Sequence, residues 1–195
     1  MTKVAVIYHS GYGHTKRVAE AVRDGAASVE GTEAVLMTAE EATERMDELD
    51  GFDAHVWGSP TYMGTVSAPM KAFIDATSKP WMAHRWKDKI AAGFTNSSSP
   101  SGDKVNTLQE LAILAAQHGM IWVGQGFLPP GYQEDDGRAH PEVNRIGGFL
   151  GAMAVSENRE PGPDNPPEAD VATARQHGAR VARAAQRWGS GRLEV

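Results

Sequence analysis

Val4-Ala-Val-Ile-Tyr-His-Ser-Gly-Tyr-Gly-His-Thr-Lys-Arg-Val-Ala19 is the stretch whose reading decides the fold. A short apolar, β-prone run leads into a turn of glycines and hydroxyls, and the turn leads straight into a helix. Backbone N–H groups at a helix start have no partner inside the helix, and the helix dipole makes that end positive. A phosphate fits there. Ser10 and Thr15 add hydroxyl donors, while Gly11 and Gly13 let the backbone approach closely. The simpler reading is an ordinary strand, turn and helix with Thr15 as a cap.

Three phosphate loops compete for this position. A Walker A loop needs Gly-Lys followed by Ser or Thr, and here Gly13 is followed by His14. A dinucleotide fingerprint needs a third glycine, where Lys16 stands, and an acid at the end of the second strand, where Thr38 stands. The third candidate is the single phosphate of flavin mononucleotide (FMN), held by hydroxyls and amides. Ser10, Tyr12, Gly13, His14 and Thr15 suit it.

The pattern outward from this turn alternates strand and helix. Strands are expected over 4–8, 33–37, 54–58, 90–94 and 120–123. Helices are expected over 14–29, 39–50, 67–77, 103–118 and 168–187. Pro69 falls in a first helical turn, and Gly119 closes a helix at its carboxyl end. Such alternation predicts an α/β fold with a doubly wound, five-stranded parallel sheet of order 2-1-3-4-5. In that order the polar loops after strands one, three and four converge at one edge, where doubly wound sheets bind ligands. The segment 124–167 is rich in Gly and Pro and lacks periodicity, so it is expected to cover the site or join subunits.

Composition narrows the classes. A chain of 195 residues suits a single domain, and 41% apolar residues supply a core. A net charge of −6 argues against nucleic acid or an anionic membrane surface as partner. No cysteine is present, which removes disulfides, thiolate catalysis and Cys-metal sites. His9, His55, His84, His140 and His177 lack metal-ligand spacing, and no metal is expected. The start has no signal-peptide core and no apolar run reaches the ~20 residues of a membrane span, so the expectation is a cytoplasmic protein without membrane insertion.

The chain resembles the flavodoxin-like NAD(P)H:quinone oxidoreductases of the WrbA type almost end to end. The resemblance rests on Tyr8-His-Ser-Gly-Tyr-Gly-His-Thr15, Gly58-Ser-Pro-Thr-Tyr-Met-Gly64, Met70-Lys-Ala-Phe-Ile-Asp75, Lys79-Pro-Trp81, Phe94-Thr-Asn-Ser97 and His118-Gly-Met120. It implies FMN as cofactor, NAD(P)H as co-substrate, two-electron reduction of quinones, and a homo-oligomer, dimer or tetramer. By the same resemblance Ser10, Gly11, Tyr12, Gly13, His14 and Thr15 hold the phosphate. Pro60, Thr61, Tyr62, Met63 and Gly64 border the flavin ring, and Thr95, Asn96, Ser97, Ser98 and Gly102 wrap its other side. His118 is expected near the ring's pyrimidine edge or in the substrate space, as the catalytic group. Tyr12, Tyr62 and Trp81 are expected to contact substrate, with Trp81 reaching a neighbouring subunit's pocket.

This sequence departs from the family where Tyr62-Met63 replaces an Arg-aromatic pair, and where Gln117 replaces a second histidine. Two further functions therefore stand beside the quinone reductase: a flavodoxin-type electron carrier, and a flavin, azo or nitro reductase on the same scaffold.

Overall fold

The computed structural model describes residues 1–132 and 141–190. The first strand, β1 (Thr2–Tyr8), has its last five residues buried, as a strand covered on both faces requires. It feeds α1 (His14–Ala27), which turns Val18, Ala19, Ala21 and Val22 inward. After β2 (Thr32–Thr38), a capping box starts α2 (Ala39–Glu44). The Thr38 hydroxyl accepts the Glu41 N–H at 3.1 Å, and the Glu41 carboxylate accepts the Thr38 N–H at 2.7 Å. The helix expected over 39–50 breaks here. Arg45 leaves helical geometry, and Met46–Gly51 tightens into a 3-10 turn.

The next strand, β3 (Ala54–Tyr62), continues past the expected end at Gly58 and folds back through a turn into β4 (Thr65–Val66). Helices α3 (Ala68–Ala76) and α4 (Ser78–Met82) follow, then β5 (Ile90–Ser97) and α5 (Lys104–Gln117). The chain closes with β6 (Ile121–Trp122), β7 (Ala152–Val155) and α6 (Glu168–Ser190).

The sheet runs β2-β1-β3-β5-β6. Without the two-residue β4, this is the expected 2-1-3-4-5 order. The fifth position is shared, which the sequence reading did not foresee. β6 pairs only with Ile90 and Ala91, whereas β7 pairs in parallel with residues 94–97. A strand from the Gly- and Pro-rich segment thus completes the edge beside the end of β5.

Two cores flank the sheet. One joins β1, β3 and β5 to α1 and α6, and the other packs them against α2, α3 and α5. α1 and α6 touch backbone to backbone. A Cβ on Gly25 would lie 1.8 Å from the Arg175 carbonyl, and one on Gly178 would lie 2.0 Å from the Val22 carbonyl. Buried histidines sit in both layers. His55 is 0% exposed, with Nε2 3.0 Å from the Leu49 carbonyl, and burial lowers its pKa to about 3. His177 is equally buried and lowered to about 4. His140 lies outside the described residues.

Two outcomes follow from this packing. The unfolded chain protonates His55 and His177 below pH 6.5, while the folded chain resists until about pH 3 for His55 and about pH 4 for His177. These two groups stabilise nothing above pH 6.5 and weaken the fold as pH falls below it, by up to about 2.7 kcal/mol per pH unit together. Urea melts between about pH 6.5 and about pH 4.5 should show at least that slope, because His118 is lowered in the same direction, and His177→Phe should reduce it by up to about 1.4 kcal/mol per pH unit. Gly178→Val forces α1 and α6 apart and should cost about 3 kcal/mol, measured by the same melts.

Candidate cofactor cleft

A cleft of about 950 Å³ opens at the carboxyl ends of the strands. Four loops build it. They follow β1, the end of β3, β5 and β7. From the expected site it gathers Ser10, Tyr12, His14, Thr15, Pro60, Thr61, Tyr62, Met63, Gly64, Asn96, Ser97, Ser98 and Gly102. It adds Ser99, Asp103 and Ser156 to Pro161, which the sequence reading did not name individually.

The turn after β1 is organised by Ser10. Its hydroxyl accepts N–H bonds from Gly13 and Lys16, each at 3.1 Å, so Ser10 rather than Thr15 satisfies the first turn of α1. Its own proton remains free to donate. Gly13 stands at the helix start with φ 89, a left-handed conformation that other residues adopt with strain. Among the described residues, the amides of Tyr12, His14 and Thr15 donate to no acceptor. Three N–H groups and a hydroxyl at a helix start form a cradle that fits a phosphate. The Gly11 N–H is used differently, as a donor to the Tyr62 hydroxyl.

The second loop is held by hydroxyls. Thr61 Oγ1 lies 2.8 Å from both Thr95 Oγ1 and Thr107 Oγ1, and this chain joins β3, β5 and α5. Thr95 is 0% exposed, so its side chain stays within the fold and does not line the cleft. Beyond Thr61 the chain turns through Met63 and Gly64, at φ 48 and 89, and Asn106 Nδ2 donates to the Gly64 carbonyl at 2.7 Å. This leaves Met63 fully exposed on the rim. Tyr62 meets Tyr12 edge to face, with ring centroids 6.3 Å apart and planes at 70°. Two aromatic side chains therefore stand together at one wall.

The fourth loop covers the cleft because two side chains pin it. Asn165, 1% exposed, accepts the Glu157 N–H at 2.8 Å and donates to the carbonyls of Glu157, Arg159 and Glu160 at 3.1–3.2 Å. Arg17, on α1, donates to the carbonyls of Gly162, Pro163 and Pro166. His14 Nε2 sits 2.8 Å from the Arg159 carbonyl, to which it donates in the matching tautomer. Arg159 pairs with Glu157 at 2.7 Å and Asp164 at 3.0 Å, so carboxylates of its own loop offset its charge. Asn165 and Arg17, which act behind the lining residues, left no motif in the sequence. The aperiodic Gly/Pro segment was the available signal.

His118 and Trp81 do not join this cleft. α5 precedes β6, so it ends at the amino edge of the sheet, opposite the cleft. There the Asp88 N–H donates to the Gly119 carbonyl. His118 is 4% exposed, stacks on Trp86 at 4.5 Å, and has Nε2 3.0 Å from Thr77 Oγ1. Burial lowers its pKa to about 4, so at neutral pH it carries no charge. The expected contact of His118 with the flavin is thus not made within its own chain. Trp81 lies on α4 at the same edge, 46% exposed, and likewise cannot reach its own chain's cleft.

A doubly wound parallel sheet with a phosphate-type cradle after its first strand defines a flavodoxin-like α/β protein. A family model described as NADPH-dependent FMN reductase matches residues 27–134, and the chain belongs to that family. Among its relatives, the flavodoxin FldP of Pseudomonas aeruginosa is 40% identical over 95% of this chain and 98% of its own length. An NAD(P)H dehydrogenase (quinone) of Archaeoglobus fulgidus is 34% identical over 96% and 99%. The crystal structure of a WrbA-like flavodoxin from Agrobacterium tumefaciens superposes with a TM-score of 0.74 at 39% identity, covering 96% of this chain and 99% of that one.

Asn165→Ala removes one amide group that serves three carbonyls of the covering loop. It should destabilise the protein by about 2 kcal/mol. Hydrogen exchange should accelerate across 157–161 while the amides of β1 keep their protection.

Proposed function

We propose that the protein is an FMN-dependent oxidoreductase that transfers two electrons from NAD(P)H to quinones. The unpartnered amides of Tyr12, His14 and Thr15, facing a cleft of flavin size, carry this reading. The Ser10 hydroxyl and those amides hold the phosphate. The 60–64 turn and residues 96–98 with Gly102 border the ring. Bound there, FMN would supply hydride acceptance and two-electron transfer, and a single opening of the cleft used first by the nicotinamide and then by the quinone would make the kinetics ping-pong.

Tyr12 and Tyr62, set edge to face, then offer aromatic contact to either partner. An exposed aromatic ring favours a planar quinone or nicotinamide ring. Trp81 contributes to substrate binding only through another copy of the chain, because it sits at the opposite sheet edge. The proposal therefore includes a homo-oligomer, a tetramer in its full form. Among the described residues no helix is long and apolar enough to cross a membrane. The nicotinamide donor is supplied in the cytoplasm, where we place the activity.

A one-electron carrier is the second reading, favoured by the 40% identity to a flavodoxin. Anaerobic mixing separates the two. NADH or NADPH should bleach the FMN-loaded protein, and benzoquinone should restore its colour. A flavin that neither nicotinamide bleaches supports the carrier. Ser10→Ala should weaken FMN binding roughly tenfold, read by fluorescence titration.

A further inference from the structure

Lys104 occupies a place that local rules disfavour. It is the first residue of α5, where the helix dipole is already positive, yet its side chain is buried at 1% exposure. A violation of this kind marks a constraint imposed from elsewhere in the fold. The ammonium donates to the carbonyl of Ser99 at 2.5 Å and to that of Pro100 at 3.2 Å. Both carbonyls belong to the loop that forms the third wall of the cleft.

Asp170 on α6, itself 1% exposed, favours the lysine's charge from beyond salt-bridge range. Arg145 grips Asp170 with two bonds of 2.7 Å. The same carboxylate accepts the Val155 N–H at 2.8 Å. Val155 ends β7, and Ser156 begins the covering loop directly after it, donating its hydroxyl to Asn96 Oδ1 at 2.7 Å. One carboxylate therefore holds the base of the covering loop, while the lysine whose charge it favours holds the facing one.

We propose that Lys104 and Asp170 are a buried positioning pair that sets the third and fourth cleft loops relative to each other, and thereby controls how tightly FMN is held. The proposal rests on the FMN reading given above. Neither residue touches the cofactor. Each acts through carbonyl or amide groups of the loops that do.

The pair is sensitive to alkali. Burial lowers the Lys104 pKa to about 8; Asp170 opposes that shift and Arg145 adds to it. Asp170 is raised by its own burial, while Arg145, the Val155 N–H and Lys104 pull it back. Raising the pH through 8 thus removes the lysine's charge and weakens its grip on the two carbonyls.

FMN titrations of the full chain between about pH 7 and about pH 9 test the proposal. Wild type should bind roughly tenfold more weakly at the upper end. Lys104→Met should be weak at both ends and flat between them. Lys104→Arg keeps its charge and should bind tightly across the range. Asp170→Asn should shift the step to lower pH. A Lys104→Met protein with wild-type affinity and a wild-type pH profile overturns the proposal, whereas a wild type that binds no FMN at any pH overturns the cofactor reading instead. In that case hydrogen exchange without ligand still decides. Lys104→Met should expose the amides of 97–102 and 155–161 together, and unchanged protection there overturns the positioning pair. If Lys104→Met does not fold, the Lys104→Arg and wild-type profiles decide in the same way.

Discussion

The start of α1 leaves the amides of Tyr12, His14 and Thr15 without acceptors, at the end of a strand buried on both faces. Unpartnered N–H groups at a positive helix end are unfavourable unless water or an anion meets them. The remainder of the cleft is arranged around that requirement. Ser10 closes the turn from within, Gly13 adopts the backbone angle the turn demands, and the Asn165-pinned loop lies over the top. The sheet order brings the loops after β1, β3 and β5 to one edge, so a ligand anchored at α1 has walls on either side.

Much of this was legible in the residues. Consecutive apolar positions in β1 and the glycine-hydroxyl turn after it located the first strand and its cradle. Strand lengths were less legible. β3 and β5 continue through Ser59, Thr61, Thr95 and Asn96, polar residues that resemble loop because their partners lie on other elements. Only the folded chain shows the Thr61–Thr95–Thr107 hydroxyl chain that makes their burial tolerable. β7 is four residues between stretches without period, too short to stand out before β5 offers it an edge.

The position of His118 and Trp81 has a different cause. By resemblance His118 was expected at the flavin and Trp81 at a neighbouring subunit's pocket. Connectivity constrains both. A helix that precedes a parallel strand ends at the amino edge, away from the ligand edge, so both residues belong to a surface opposite their own cleft. His118, closed in against Trp86 and Thr77, supports that surface, while Trp81 is exposed on it. Within one chain the cleft is lined by hydroxyls, amides, two tyrosines and a covering loop whose arginine is already paired. A phosphate placed there would be held by backbone geometry more than by net positive charge.

That dependence can be measured directly by comparing FMN with riboflavin, which has the same ring and lacks the phosphate. The account predicts that the protein binds FMN at least about a hundredfold more tightly, because the helix-start amides and Ser10 act only on the phosphate. Equal affinity for the two would contradict the assignment of the 10–15 turn as the anchor on which the site is built.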